Sequence, residues 1–166
     1  QERCGLPANW TPRLVATQYM DDADPVIDIY CGFVTGSFDP NDKVGYPTGL
    51  TDDHFILPGQ QLQYMIRFQN TGNDTAFTVI IRDTLDISLN AFTLVPGVAS
   101  HPYSFRMYGP RVIEWKFENI LLPDSTTNSA GSNGFVTFRV DQVRDLPNWT
   151  VLRNVAAIYF DFNEAI

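Results

Sequence analysis

Along residues 61–69, QLQYMIRFQ, Leu62, Tyr64, Ile66 and Phe68 alternate with Gln63, Met65 and Arg67. A period of two marks a strand with one face buried. The polar NTGNDT at 70–75 then predicts a turn, with Gly72 supplying an awkward backbone angle. The next run, AFTVIIRDTL at 76–85, sets Phe77, Val79 and Ile81 on one face. Together the two runs predict a pair of adjacent antiparallel strands. Further strands fit 112–117, 134–140 and 150–160, with shorter ones at 91–95 and 103–108. The small, polar segment 123–134 predicts an exposed loop.

No window of eleven or more residues carries a helical stripe, and Pro and Gly recur too often for long helices. Short strands with regular turn signals predict an all-β fold, an immunoglobulin-like antiparallel β-sandwich. Its predicted core is Leu62, Tyr64, Ile66, Phe68, Phe77, Val79, Ile81, Trp115, Phe138, Leu152 and Ile158. Residues 1–36 read differently: DDADP separates two short apolar runs, and both cysteines of the chain lie there. The expected division is an amino-terminal extension at 1–36, the tail of a preceding domain, and a sandwich at 37–166.

Composition narrows the function. The 166 residues are 44% hydrophobic and only 18% charged, which excludes a disordered chain. A net charge of −8 repels nucleic acid and anionic membranes. No stretch is long and apolar enough to insert in a membrane as a helix, and nothing at the start reads as a signal peptide. The expectation is a mature or excised piece. Cys4 and Cys31 are expected to form a disulfide in an oxidising compartment, the alternative being two free thiols. The triplets at Asn9, Asn73 and Asn148 are glycosylation acceptors if the source is eukaryotic and secretory.

Catalytic signatures are missing. His54 and His101 have no ligand partners at metal spacing, and no nucleophile elbow or phosphate loop is present. Glu114 and Glu118 flank Trp115 as a glycosidase pair would, but strand parity puts them on one exposed face with Lys116 between them. The expectation is a non-enzyme. More telling are polar residues on apolar faces. Asn154 shares a face with Leu152, Ala156, Ile158 and Phe160, and Asp83 shares one with Phe77, Val79, Ile81 and Leu85. Parity sends both into the core, where each needs a partner. Bonds to backbone groups at strand ends are the simplest supply.

One of the chain's two lysines, Lys43, sits in the turn-forming stretch GSFDPNDKVGYPTG at 36–49. Asp39, Asn41 and Asp42 there offer hard oxygen ligands, and Asp161 with Asn163 could complete a calcium shell if the two ends meet. The alternative is a turn whose side chains bond their own backbone.

The series GSFDPNDK, PGQQLQYMIRFQNTGNDTAFTVIIRDTLD, SHPY, LLPDSTTN, GFVTFRV and RNVAAIYFDFN resembles, over about 36–166, a repeat domain of large secreted and cell-surface proteins of Bacteroidota. That domain often precedes a type IX secretion sorting signal. It is also distantly similar to Cna-B-like bacterial surface repeats. The resemblance implies a stalk or spacer module, secreted or at the cell surface, whose partners are neighbouring domains of one polypeptide. It departs at the end, where Ala165 stands in place of a common proline. In Cna-B-like relatives the first and last strands lie side by side, which implies an isopeptide bond from Lys43 to Asn154 with Asp83 as the catalytic carboxyl. The rival is an unreacted Lys43–Asp83 ion pair bonded to Asn154. A second function class is a glycan- or protein-binding module using Trp10, Tyr46, Tyr103, Tyr108 and Trp149.

Overall fold

The computed structural model describes residues 16–17, 26–27, 40–50, 54–161 and 163. The chain divides into two compact units, Gln1–Phe38 and Asp39–Ile166. In the first, β1 (Ala16–Thr17) pairs antiparallel with β2 (Val26–Ile27). Cys4 and Cys31, with the proposed disulfide, and Trp10 lie outside the described residues.

The second unit is all-β, and no helix occurs among its described residues. Its strands are β3 (Asp42–Tyr46), β4 (Leu62–Gln69), β5 (Ala76–Thr84), β6 (Leu89–Ala99), β7 (Ser104–Tyr108), β8 (Val112–Leu122), β9 (Asn133–Gln142) and β10 (Val155–Phe160). They form two four-stranded antiparallel sheets, ordered β10-β5-β8-β7 and β3-β4-β9-β6. Alternation drives this arrangement: Leu62, Ile66 and Phe68 of β4 meet Ile113, Trp115 and Phe117 of β8 and Val136, Phe138 and Val140 of β9 in one buried cluster. Tyr64 and Leu152 pack against that cluster while only partly buried.

Two expectations fail here for identifiable reasons. The strands at 61–69 and 76–85 are not partners: β4 pairs with β3 and β9, whereas β5 pairs with β10 and β8. The connection between them crosses from sheet to sheet around the buried side chain of Asn70. Its amide nitrogen donates to Asp74 O at 2.8 Å and Leu122 O at 2.9 Å, and its oxygen accepts from Gly72 N at 3.1 Å. Gly72 serves this close approach, because a Cβ there would lie 3.0 Å from Asn70 Oδ1, and its φ is not left-handed. The second failure is Phe77, which is 56% exposed. A bulge between Ala76 and Thr78 breaks the alternation, so Ala76 is buried in its place while Val79, Ile81 and Asp83 keep their parity.

Smaller differences follow the same physics. The last strand starts at Val155, five residues later than the apolar pattern suggests. The 123–134 loop is not uniformly exposed, since Asp124 and Ser132 are buried. Asp124 Oδ1 accepts from Thr126 N at 3.0 Å, from Thr127 N at 2.9 Å and from the Thr126 hydroxyl, and these bonds hold its carboxyl far below the usual range.

Candidate functional site

Lys43 and Asp83 start on opposite sheets. β3 is the edge strand of one sheet, and β5 lies inside the other between β10 and β8. The expectation that the first and last strands of the sandwich lie side by side is thus not met as strand pairing: β3 and β10 are edges of different sheets. The side chains nevertheless converge. Asp83 is fully buried, as parity requires, and the Lys43 side chain is 11% exposed. Lys43 Nζ donates to Asp83 Oδ2.

Asn154, the residue before β10, completes the cluster. Its hydrogen-bond network turns the amide oxygen to Lys43 Nζ at 2.6 Å. The amide nitrogen donates to Asp83 Oδ1 at 2.8 Å and Thr84 O at 3.1 Å. Each member therefore touches the other two. Sequence parity found Asp83 and Asn154, and the bond to Thr84 is the backbone tie that parity alone allowed.

The surroundings are apolar. Lys43 Nζ stands 4.7 Å from the centroid of the Tyr64 ring and 5.3 Å from that of Phe138, and these two rings stack 5.1 Å apart. Burial drives the Lys43 ammonium down from its ordinary pKa, against the opposing pull of Asp83. Burial likewise drives the Asp83 carboxyl up, against the pull of Lys43 and Asn154. Both directions move the pair toward a neutral amine beside a neutral acid. Tyr64 is pushed up to about 12, first by burial and then by the charges of Asp83 and Asp86.

The calcium donors are placed otherwise. Asp39 lies outside the described residues. Asn41 Oδ1 accepts from Gln69 N at 3.1 Å, and Asp42 forms a two-point pair with Arg67, one bond of it 2.6 Å from Nε. Asp161 Oδ1 accepts from Phe77 N at 3.0 Å and Thr78 N at 2.7 Å, which fastens the end of β10 over the bulge. Asn163 N donates to Phe160 O at 3.0 Å. Among the described residues no group of three or more His, Cys, Asp or Glu could hold a metal ion.

Sequence reasoning missed a second polar centre. Glu114, expected on an exposed face, is 2% exposed. Arg82 of β5 and Arg106 of β7 cover it, with Nε atoms 2.8 and 2.7 Å from its two oxygens. Burial pushes this carboxyl up, but the two arginine bonds outweigh it and hold it below the ordinary range. Strand neighbours bring these residues together, and no local pattern signals it. Of the surface aromatics, Tyr46 and Tyr108 are exposed, whereas Tyr103 packs on Phe117 and donates to Gly97 O at 2.7 Å. They do not make one flat row.

A two-sheet antiparallel sandwich with a buried lysine–carboxyl–amide cluster defines the class. The chain belongs to the family described as Domain of unknown function (DUF7619), whose model matches residues 39–166. No curated protein matches it. Solved structures similar to it include the collagen-binding subdomain of the Enterococcus faecalis surface protein ACE, with a TM-score of 0.47 and 10% identity over 78% of this chain and 92% of that one. The collagen-binding domain from a Staphylococcus aureus adhesin gives 0.45 and 11% over 80% and 93%. The pilus backbone RrgB from Streptococcus pneumoniae gives 0.42 and 14% over 76% and 33%.

Proposed function

We propose that the 39–166 unit is a structural module of a secreted or cell-surface protein, locked by an isopeptide bond between Lys43 and Asn154. The observation that carries this reading is the three-way contact of Lys43, Asp83 and Asn154, with Asp83 fully buried and Lys43 set against two aromatic rings. An ion pair alone gives no reason for an amide on both partners, and a buried pair is weak evidence for stability.

Asp83 Oδ2 takes a proton from Lys43, leaving a neutral amine that attacks the Asn154 amide carbon. The carboxyl then hands its proton through Oδ1 to the departing amide nitrogen, 2.8 Å away, while collecting a second one from the new nitrogen. A C–N bond forms, a C–N bond breaks, and ammonia leaves. Of the three protons of the original ammonium, one leaves in the ammonia, one stays on the new amide nitrogen, and one remains on Asp83 or converts the ammonia to ammonium. Tyr64 and Phe138 exclude water, which keeps the amine neutral and the amide from hydrolysis.

Such a bond ties β3 to the start of β10 across the sandwich. Pulling force entering before Lys43 and leaving after Asn154 bypasses the chain between them, and this suits a stalk or spacer. Neighbouring domains of the same polypeptide are its natural partners. A tryptic digest tests the bond. Lys43 would be uncleavable, so residues 14–67 should appear as one branched peptide joined to residues 154–166. Recovery of separate peptides ending at Lys43 and starting at Asn154 would refute it.

A further inference from the structure

The cross-link chemistry leaves unused a cleft of about 780 Å³ between the segments 54–58 and 146–152. Its backbone is unusual. His54 has φ 57° and Trp149 φ 68°, left-handed values that a bulky side chain rarely adopts. Trp149 is the third residue of a turn closed by Thr150 N donating to Pro147 O at 3.2 Å, a place where left-handed φ calls for Gly or Asn. Burial does not explain the tryptophan, because it is 80% exposed. Its ring packs edge-to-face with Phe55, with centroids 5.3 Å apart. A strained, exposed tryptophan that glycine would relax points to a role outside folding.

The rest of the lining says what the ring would meet. Among the described residues no Asp, Glu, Lys or Arg lines the cleft, and its described groups offer a charged ligand no counter-charge. His54 Nδ1 lies 2.8 Å from Thr48 O. A carbonyl only accepts, so Nδ1 carries a proton, and Nε2 is left to bond a hydroxyl. Asn148, which also lines the cleft, carries an amide with donors and an acceptor. Flat aromatic surface, a few neutral hydrogen-bonding groups and this volume suit a ligand with both C–H faces and hydroxyls.

We propose that this cleft binds a neutral oligosaccharide, with Trp149 as the stacking platform and His54 and Asn148 as hydrogen-bonding groups. This second role would let a spacer also grip a glycan surface, and it does not depend on the cross-link.

The full chain, labelled with nitrogen-15, is titrated with neutral cello-, xylo-, manno- and chito-oligosaccharides, and separately with heparin, while the indole N–H signals and the backbone amide signals of 54–58 and 146–152 are followed, the latter serving every variant. At least one neutral series should shift the Trp149 indole signal saturably at millimolar concentration or below. Trp149→Gly should weaken that binding at least tenfold while the melting temperature stays level or rises, because the turn relaxes. His54→Ala, which keeps the platform, should weaken it several-fold. The proposal fails if no neutral oligosaccharide moves the signal or if heparin alone binds there. It also fails if Trp149→Gly loses stability and leaves binding unchanged. The intact mass of each variant shows separately whether the Lys43–Asn154 bond has formed.

Discussion

Asp83→Ala is expected to keep the full mass of its sequence, with no ammonia lost, and to melt far below the parent protein. Two losses combine in this variant. The bond between Lys43 and Asn154 does not form, because nothing remains to take the proton from Lys43 or to hand one to the leaving nitrogen. In the chain-entropy picture, a cross-link closing a loop of this size contributes about 4–5 kcal/mol. The lysine is also left buried beside Tyr64 and Phe138 with its carboxylate gone, and breaking a buried pair costs about 3–5 kcal/mol. Those losses overlap, and a combined loss of about 5 kcal/mol lowers the melting temperature by roughly 10–20 °C in a chain of this length. Asn154→Ala separates the contributions. It keeps the Lys43–Asp83 pair and removes only the acceptor. A large destabilisation in Asn154→Ala as well, read by thermal melting, fits the cross-link. A near-normal melting temperature there would assign the stability to the ion pair alone.

Trp115→Ala should be the most damaging change in the core, costing about 3–5 kcal/mol. The fully buried indole stands between the sheets, 5.2 Å from the Phe138 ring and 5.5 Å from Phe105. Phe138 in turn stacks on Tyr64, and both rings cover Lys43. The cavity therefore reaches the wall of the lysine site, and ring mobility there should slow the Lys43–Asn154 reaction by admitting water. Trp115→Phe should cost much less than Trp115→Ala. The indole nitrogen is buried without a hydrogen-bond partner, so removing it leaves no polar group unsatisfied. Urea denaturation of the two variants, compared by midpoint at equal slope, checks the order. An equal loss in both would mean that the indole nitrogen matters after all.

What the sequence made legible depended on range. Period-two alternation identified β4, β8 and β9 and most of the buried side chains, because that pattern needs only the strand itself. It also singled out Asp83 and Asn154 as polar residues on apolar faces, whereas Lys43 joined them only through the resemblance to Cna-B-like repeats. Phe77 shows its limit. One extra residue at the bulge exposes a side chain that alternation would bury, and no residue type near it announces the bulge. Sheet membership is likewise invisible in alternation. NTGNDT has the composition of a hairpin turn, yet the bonds of Asn70 to Asp74 and Leu122 make it a crossing between sheets. Glu114 needed arginines from two neighbouring strands before its burial could be understood. The left-handed Trp149 could not be read at all, since turn signals lie with Gly and Asn.

The intact mass of the denatured, reduced chain, read beside Asp83→Ala, tests the central claim most directly. Both proteins share the same amino terminus, so pyroglutamate formation at Gln1 shifts them alike. The parent should fall about 17 Da further below its sequence mass than the variant does, the mass of one ammonia. An equal offset in the two proteins would contradict the bond and leave Lys43, Asp83 and Asn154 as an unreacted buried cluster.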